Sequence, residues 1–231
     1  MKKRQSVIAV IAMVMFVVAL LLTSFQIAIY GDSEYKFYER EYEKYDVADS
    51  LNMEMNDIMD VTDKMMSYLI GEREELSVMT NVDGEYQDFF NEQDRFHMEE
   101  VKNMFLGGLK IRNILLIGAA ALIMLLIFWK ADLFRILKKA YFVALGIFGG
   151  LTIVLGGLIS MDFNRCFTIF HEIFFDNDLW IFDPDTDYMI RMLPEGFFFD
   201  FVIRIGSVFV ISLIVFAVLF YLAARYEKRK N

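Results

Sequence analysis

The chain has 231 residues, of which 57% are apolar and 16% aromatic, and its mean hydropathy is positive. This composition is typical of a multi-spanning membrane protein and excludes an ordinary soluble domain. Its 32 acidic and 23 basic residues give a net charge of −9, which argues against nucleic acid as a partner, and its single cysteine excludes an internal disulfide.

Four long apolar runs predict an all-α membrane protein with four transmembrane helices and a mainly helical extracytoplasmic cap. We place the spans at residues 7–29, 105–129, 140–160 and 205–224, within a single membrane domain, 1–231. Each run is close to the roughly 20 residues that a helix needs to cross the hydrocarbon core. The first run is longer than the apolar core of a signal peptide and no A-x-A site follows it, so we expect an uncleaved anchor.

The distribution of charge predicts the orientation. Basic clusters occur near the N-terminus, in the connection 130–139 and near the C-terminus, and the positive-inside rule places all three in the cytoplasm. The loop 31–112 carries 21 acids and 9 bases, a net of −12, and the loop 161–202 carries 9 acids and 2 bases, a net of −7. We therefore expect both loops to be extracytoplasmic and both termini to be cytoplasmic.

Two stretches of the first loop have helical periodicity. Tyr35, Tyr38, Tyr42 and Tyr45 recur every three or four residues, which predicts an aromatic helix face at the membrane surface, with substrate contact as the alternative. The methionine-rich stretch Val47–Ile70 has the apolar stripe of an amphipathic helix. It could form a lid packed on the bundle or a groove for a flexible acyl chain.

The end of the first loop contains an extended segment, a turn and a helix start. Leu76–Thr80 is expected to be extended, and Asn81–Gly84 has the residues of a turn. Asn91 is expected to cap a helix that runs unbroken through His97 into the second span. This arrangement would place His97 just outside the membrane.

The chain has only two histidines, His97 and His171, and both are predicted to lie close to the outer membrane surface. Histidine is the side chain best suited to proton transfer near neutral pH. On a helix, Asp94 and Glu100 are neighbours of His97, and either carboxylate could fix the tautomer of its ring. Phenylalanines around His171 would keep that ring neutral. The alternative is that both rings are buried and purely structural.

The segment Cys166–Phe201 combines carboxylates and aromatics with the only cysteine and both prolines, and it predicts an active-site segment at the membrane surface. Cys166 and His171 could form a nucleophilic pair, although a lone cysteine in an aromatic helix more often has a packing role. Asp183, Asp185 and Asp187 resemble the start of a calcium loop, but its glycine and closing glutamate are missing. We expect Asp183 or Asp187 instead to accept backbone N–H groups in a helix cap around Pro184.

Motifs for nucleotide, serine-hydrolase and zinc chemistry are missing from the sequence. An outward-facing site also has no access to cytoplasmic ATP or acyl-CoA. We therefore expect no cofactor and no metal, and chemistry that uses energy already present in the substrate.

Three sequence segments resemble the lipoprotein intramolecular transacylase (Lit) family of Gram-positive bacteria, and the likeness covers essentially the whole chain. The most specific segment is His171-Glu172-Ile173-Phe174-Phe175 followed by Asn177, Trp180, Asp183-Pro184, Asp187, Ile190, Pro194 and Phe198. The others are His97-Met98 with Glu100-Val101-Lys102, and Tyr42 with Lys44-Tyr45-Asp46-Val47. The chain departs conservatively from the family pattern at Glu100, where Asp is more usual, and at Asp46, where Asn is more usual.

This resemblance implies an enzyme that moves the sn-2 acyl chain of a diacylglyceryl lipoprotein to the α-amino group of its N-terminal cysteine, giving the lyso-form lipoprotein. The partners would be the diacylated lipoprotein and membrane lipids. We expect His97 and His171 to divide the roles of base and of acid or oxyanion donor, without a covalent acyl-enzyme. Supporting roles are expected for Glu100, Asn177, Trp180 and Asp187.

Two other hypotheses remain open at this point. The chain could be a non-catalytic membrane accessory or binding protein whose acidic outer loops dock a partner. It could also be an enzyme that uses Cys166 as a covalent acyl carrier. The first predicts exposed and separate histidines, and the second predicts that a serine at position 166 abolishes turnover.

Overall fold

The computed structural model describes residues 2–230, with side chains described through Glu227. The elements in chain order are α1 (Lys2–Tyr30), α2 (Lys36–Lys44), α3 (Val47–Leu51), α4 (Met55–Leu69), β1 (Met79–Val82), β2 (Glu85–Asp88), α5 (Glu92–Phe128), α6 (Leu133–Met161), α7 (Phe163–Phe174), α8 (Tyr188–Met192) and α9 (Glu195–Lys230). Helices α1, α5, α6 and α9 are long and apolar enough to span a membrane. The predicted all-α membrane fold with four transmembrane helices is confirmed.

One compact unit contains the apolar lengths of these four helices, within residues 2–29, 108–161 and 204–230. Small side chains such as Ala9 and Ala144 are fully buried there, which lets the helix backbones approach closely. The hydroxyl of Tyr141 donates to the backbone oxygen of Leu213 at 2.7 Å and so joins α6 to α9. Many other apolar side chains of these helices are exposed, as suits helices in contact with lipid.

A second compact unit is formed by residues 30–107 and 162–203. Tyr38 and Tyr42, on α2, are buried in it, and their rings lie 5.5 Å and 6.0 Å from the ring of Phe197 at the start of α9. The expected helix face is therefore real, but these two tyrosines pack inside protein rather than at a membrane surface. The reason is that the first turns of α9 supply an aromatic surface that covers them.

The stretch predicted as one helix, Val47–Ile70, is divided into α3 and α4. Asn52 ends α3 in the left-handed conformation with φ 49°, which asparagine adopts more readily than most residues. Met65 and Met66 on α4 are buried, so the methionine face belongs to the core of the unit. This observation favours the packing interpretation over the acyl-chain groove.

A β-hairpin precedes α5. Strands β1 and β2 are antiparallel, and Asp83 and Gly84 connect them with φ values of 52° and 83°. Two successive positive φ angles in an Asp-Gly pair are typical of a tight hairpin turn. The expected turn is confirmed at Asp83 and Gly84, but Asn81 and Val82 lie in β1 rather than in the turn. The sequence does not predict the second strand, because Glu85–Asp88 contains no apolar run.

Candidate active site

A reciprocal cap fixes the start of α5. The side-chain oxygen of Asn91 accepts from the backbone N–H of Asp94 at 2.9 Å, and Asp94 Oδ2 accepts from the backbone N–H of Asn91 at 3.0 Å. The expected cap at Asn91 is confirmed, and α5 then continues without interruption to Phe128. Its first four turns lie in the second compact unit, before the apolar spanning length, and they carry His97 on a rigid scaffold.

Helix α7 supplies the second histidine. Asp162 caps this helix by accepting from the backbone N–H of Arg165 at 3.0 Å. Near its end, His171 Nδ1 lies 2.8 Å from the backbone oxygen of Phe167. Because a carbonyl oxygen can only accept, Nδ1 carries the proton, and Nε2 of the neutral ring keeps a free lone pair.

The two histidine rings lie together. Their centroids are 5.9 Å apart at an interplanar angle of 29°, and the residues are only 6% and 7% exposed. Phe175 contacts both rings, at 4.9 Å from His97 and 5.4 Å from His171. Trp180 stacks on His171 at 4.7 Å, and Phe182 meets His97 edge-on at 5.5 Å. The structure therefore brings the two predicted histidines into one aromatic enclosure.

Burial keeps both rings neutral near pH 7. Loss of hydration, together with a smaller effect of the neighbouring His171, lowers the pKa of His97 to about 4. Burial also lowers the pKa of His171, although its hydrogen bond to Phe167 opposes the effect. A neutral imidazole can accept a proton at one nitrogen and donate one from the other. The pair can therefore serve a reaction that needs both a base and an acid.

Glu100, one of the two carboxylates that could fix the tautomer of His97, makes no hydrogen bond to that ring. Its Oε1 accepts from the side-chain amide of Asn177 at 2.9 Å, whereas Oε2 and His97 Nδ1 have no partner among the described residues. The amide of Asn177 offers N–H donors that compete for the carboxylate. Asn177 in turn accepts from the backbone N–H of Leu179 at 2.9 Å, so Glu100 anchors the loop that carries Trp180.

Asp187 is buried and closes the loop before α8. Its carboxylate accepts from the backbone N–H of Asp183 at 2.6 Å and from the side-chain amide of Asn91. Asp187 occupies the N-cap position of α8, but its side chain accepts from no N–H of that helix. The expected acceptance of backbone N–H groups occurs within the loop instead, where Asp187 accepts from Asp183 and Asp183 accepts from Asp185 at 3.0 Å. The carboxylate thus joins the loop that follows Phe182 to the N-terminal cap of α5.

Cys166 lies on α7 and is partly exposed. It precedes His171 by five residues, a spacing that separates two side chains by about 140° around an α-helix. The helix geometry therefore argues against a nucleophilic pair formed by Cys166 and His171. Within residues 2–230, no group of three or more His, Cys, Asp or Glu side chains is arranged to hold a metal ion.

Phe175 and Phe182 complete the enclosure. The four-residue spacing predicts the contact of Phe175 with His171, and the structure adds its contact with His97. Phe182 reaches His97 from a loop that is remote in sequence, and no local pattern indicates this contact.

Comparisons with known proteins agree with one another. Residues 10–198 match the family model described as "Lipoprotein intramolecular transacylase Lit". The in meso structure of the membrane integral lipoprotein intramolecular transacylase Lit from Bacillus cereus matches with a TM-score of 0.77 at 20% sequence identity, over 100% of both chains. No curated protein sequence matches the chain significantly.

Two histidine variants of the Bacillus cereus protein are similar as well. The variant with arginine in place of a histidine matches with a TM-score of 0.77 at 20% identity, over 100% of this chain and 96% of that one. The variant with alanine matches with a TM-score of 0.72 at 21% identity, over 100% of this chain and 97% of that one. These structures establish a shared fold, and the family model covers most of the chain.

Proposed function

Since the chain belongs to the lipoprotein intramolecular transacylase family, we propose that it moves the sn-2 acyl chain of a diacylated lipoprotein to the α-amino group of the lipidated N-terminal cysteine. The product is the lyso-form lipoprotein, with one ester-linked chain and one amide-linked chain. The observation that carries the histidine mechanism is the pair of buried rings of His97 and His171, 5.9 Å apart.

The chemistry suits an enzyme that has no external energy source. Conversion of an ester and an amine to an amide and an alcohol runs downhill, and here both groups belong to one molecule. The protein therefore has to hold the amine against the ester carbonyl, and orientation of this kind can contribute about 7–11 kcal/mol. The remaining demands are proton transfers at the nitrogen and at the departing oxygen.

His171 is suited to the role of base. Its Nδ1–H is engaged by Phe167, so Nε2 is the nitrogen that can accept a proton. An α-amine has an ordinary pKa of roughly 7.7–8.0, so a useful fraction is already neutral near pH 7. His171 Nε2 takes the second proton from the nitrogen as the C–N bond forms.

His97 is suited to the role of neutral donor. The low pKa of its ring makes the cationic form rare, so it acts through an N–H of the neutral imidazole. That N–H stabilises the oxyanion of the tetrahedral intermediate and then protonates the departing sn-2 oxygen. The two rings thereby divide the base and acid roles without a covalent acyl-enzyme.

Four other side chains support this pair. Trp180 stacks on His171, and Asn177 and Glu100 hold the loop from which Trp180 projects. Asp187 joins the α8 loop to the cap of α5 and so to the helix that carries His97. These contacts favour a bracing role for the three polar residues and a wall of the enclosure for Trp180.

The proposed orientation places both termini in the cytoplasm and the histidine pair on the extracytoplasmic face. The basic clusters near the ends of the chain and in the connection 130–139 support it through the positive-inside rule. Both acidic loops, and with them both histidines, then lie on the opposite side.

The burial of both histidines argues against a non-catalytic accessory role, which predicts exposed and separate rings. The test is to give the purified protein a synthetic diacylated lipopeptide mixed with a second lipopeptide that carries isotope-labelled acyl chains. We expect mass spectrometry to find lyso-form product in which label never crosses between peptides. Retention of both chains on glycerol by folded protein would contradict the proposal, and crossed label would show intermolecular transfer.

A further inference from the structure

Three buried polar atoms in the first turns of α5 have no hydrogen-bond partner among the described residues. They are Asp94 Oδ1, His97 Nδ1 and Glu100 Oε2. Buried polar atoms in native proteins are nearly always hydrogen-bonded, so this group requires an explanation. Side chains three residues apart on a helix are neighbours, and Asp94 and His97 have this spacing.

Asp94 is held in place independently of His97. Asp94 is fully buried, and its Oδ2 accepts from the backbone N–H of Asn91 in the reciprocal cap. Helix capping explains Oδ2 and the backbone N–H, but it does not explain why Oδ1 is buried one turn before His97. That second oxygen is therefore available for another role.

The surroundings of Asp94 favour its neutral form. Burial, aided by the negative charge of Asp187, raises the pKa of this carboxyl group to about 7. The hydrogen bond from the Asn91 backbone N–H and the positive charge of Arg95 oppose this increase. The other titratable groups of the site are His171, which faces His97 from α7, and Glu100, which is engaged with Asn177. Near neutral pH a large share of Asp94 is thus protonated, and a protonated carboxyl group can donate a hydrogen bond.

We propose that Asp94 is a positioning residue that donates from its protonated Oδ1, through one bridging water, to His97 Nδ1. With Nδ1 accepting, the single N–H of the neutral ring is on Nε2, where it can serve as the donor in the reaction. This inference rests on the proposed transacylase function. It is opposite in direction to a catalytic triad, in which an ionised carboxylate accepts from the ring.

The proton transfers balance over one turnover. As the ester C–O bond breaks, the proton on His97 Nε2 passes to the sn-2 oxygen, and Nδ1 receives the Asp94 proton through the water. Asp94 is left as a carboxylate and His171 as a cation, because His171 has taken the proton from the amine nitrogen. The His97 ring now carries its proton on Nδ1. The cycle closes when Nδ1 returns that proton through the water to Asp94 and solvent carries the proton of His171 to His97 Nε2, which restores all three groups.

The Asp94→Asn variant tests this relay. The asparagine side chain can still accept from the Asn91 N–H, but it has no proton to transfer. We expect turnover at pH 6 to fall at least tenfold with KM unchanged, and the ratio of wild-type to variant rates to decline as pH rises through about 7. The substrate amine ionises in the same way in both assays, so its ionisation cancels in the ratio of the two rates.

The matched control is Glu99→Gln, which neutralises an exposed carboxylate on the same helix. We expect this variant to keep the wild-type rate and pH profile. An Asp94→Asn variant with the wild-type rate, or with a constant rate ratio across this pH range, would overturn the relay.

An infrared titration provides a readout that does not depend on activity. We expect a carbonyl band of a protonated carboxyl group that disappears as pH rises through about 7, is absent in Asp94→Asn and shifts in His97→Leu. Absence of the band, or a band that His97→Leu leaves unchanged, would refute the relay even in active protein. Failure of the wild type to convert lipopeptide would instead count against the transacylase proposal.

Discussion

His171 donates its Nδ1–H to the backbone oxygen of Phe167 at 2.8 Å, within the same helix, and this bond leaves Nε2 as the acceptor of the ring. This bond distinguishes two side chains of the same type, because it makes Nε2 of His171 the nitrogen that can accept a proton. It also allows the two ring nitrogens to be tested separately, because an asparagine side chain can replace Nδ1 but not Nε2.

We expect His171→Asn to fold and to retain a hydrogen bond to Phe167 while losing the base at Nε2. Loss of a positioned general base typically slows a reaction by about 10² to 10⁴-fold. Turnover of a diacylated lipopeptide, measured beside the thermal midpoint of the same preparation, checks this prediction. The control is Cys166→Ser, which should keep wild-type turnover. An active His171→Asn variant would remove His171 from the role of base.

The orientation can be tested with a pair of engineered cysteines, because the chain has a single natural one. In a Cys166→Ser background, Tyr86→Cys and Tyr226→Cys introduce thiols at positions that are 67% and 70% exposed. A membrane-impermeant maleimide should label position 86 in intact cells and position 226 only after permeabilisation. The reverse pattern would contradict the proposed topology.

Gly196 at the start of α9 lies against Tyr45. A Cβ atom at this position would overlap the ring edge and the hydroxyl oxygen of Tyr45, and that hydroxyl donates to Asp200 in a hydrogen bond of 2.6 Å. We therefore expect Gly196→Ala to destabilise the protein by about 1–3 kcal/mol, as overpacking usually does. The thermal midpoint should fall accordingly.

The control for this substitution is Gly206→Ala on the same helix, where an added Cβ has no heavy atom within 4 Å. This variant should match the wild type or exceed it slightly, because alanine favours a helix more than glycine does. Equal midpoints for the two variants would show that Tyr45 moves aside without loss.

Acid should destabilise the folded protein through its buried histidines. Burial lowers the pKa of His97 from its ordinary value of 6.5 to about 4, so the unfolded chain binds a proton at higher pH than the folded protein does. The stabilising contribution is complete above pH 6.5 and is lost as pH falls towards 4. At about 1.36 kcal/mol per pKa unit, the loss is up to about 3 kcal/mol.

Replacing His97 by glutamine removes this proton-binding site. We expect the thermal midpoint of His97→Gln to fall less than that of the wild type between pH 7 and pH 4.5. His171 remains and is shifted in the same direction, so some acid sensitivity should persist. Parallel curves for the two proteins would contradict the assignment of a low pKa to His97.

The fold and the histidine pair could be predicted from the sequence because their signals are local or compositional. Four apolar runs of spanning length determine the membrane helices, and Asn91 with Asp94 has the composition of a helix cap. The chain has only two histidines, so few combinations had to be considered. The resemblance to a known family added the chemistry.

The contacts that a sequence does not reveal are those between distant segments. Asn177 rather than His97 engages Glu100, across 77 positions of sequence, because the loop after α7 returns to α5. Tyr38 and Tyr42 are buried because the start of α9 covers them, a contact that periodicity cannot predict. The break at Asn52 depends on one residue in a left-handed conformation, whereas the apolar stripe continues past it.

The most direct test of joint action by His97 and His171 is a comparison of the two single alanine variants with the double variant. Residues that act as one unit are strongly non-additive, so the double variant should be no slower than the slower single variant. The measurement is single-turnover conversion of a diacylated lipopeptide by folded protein. Losses that multiply in the double variant, or a single variant with full turnover, would contradict the account.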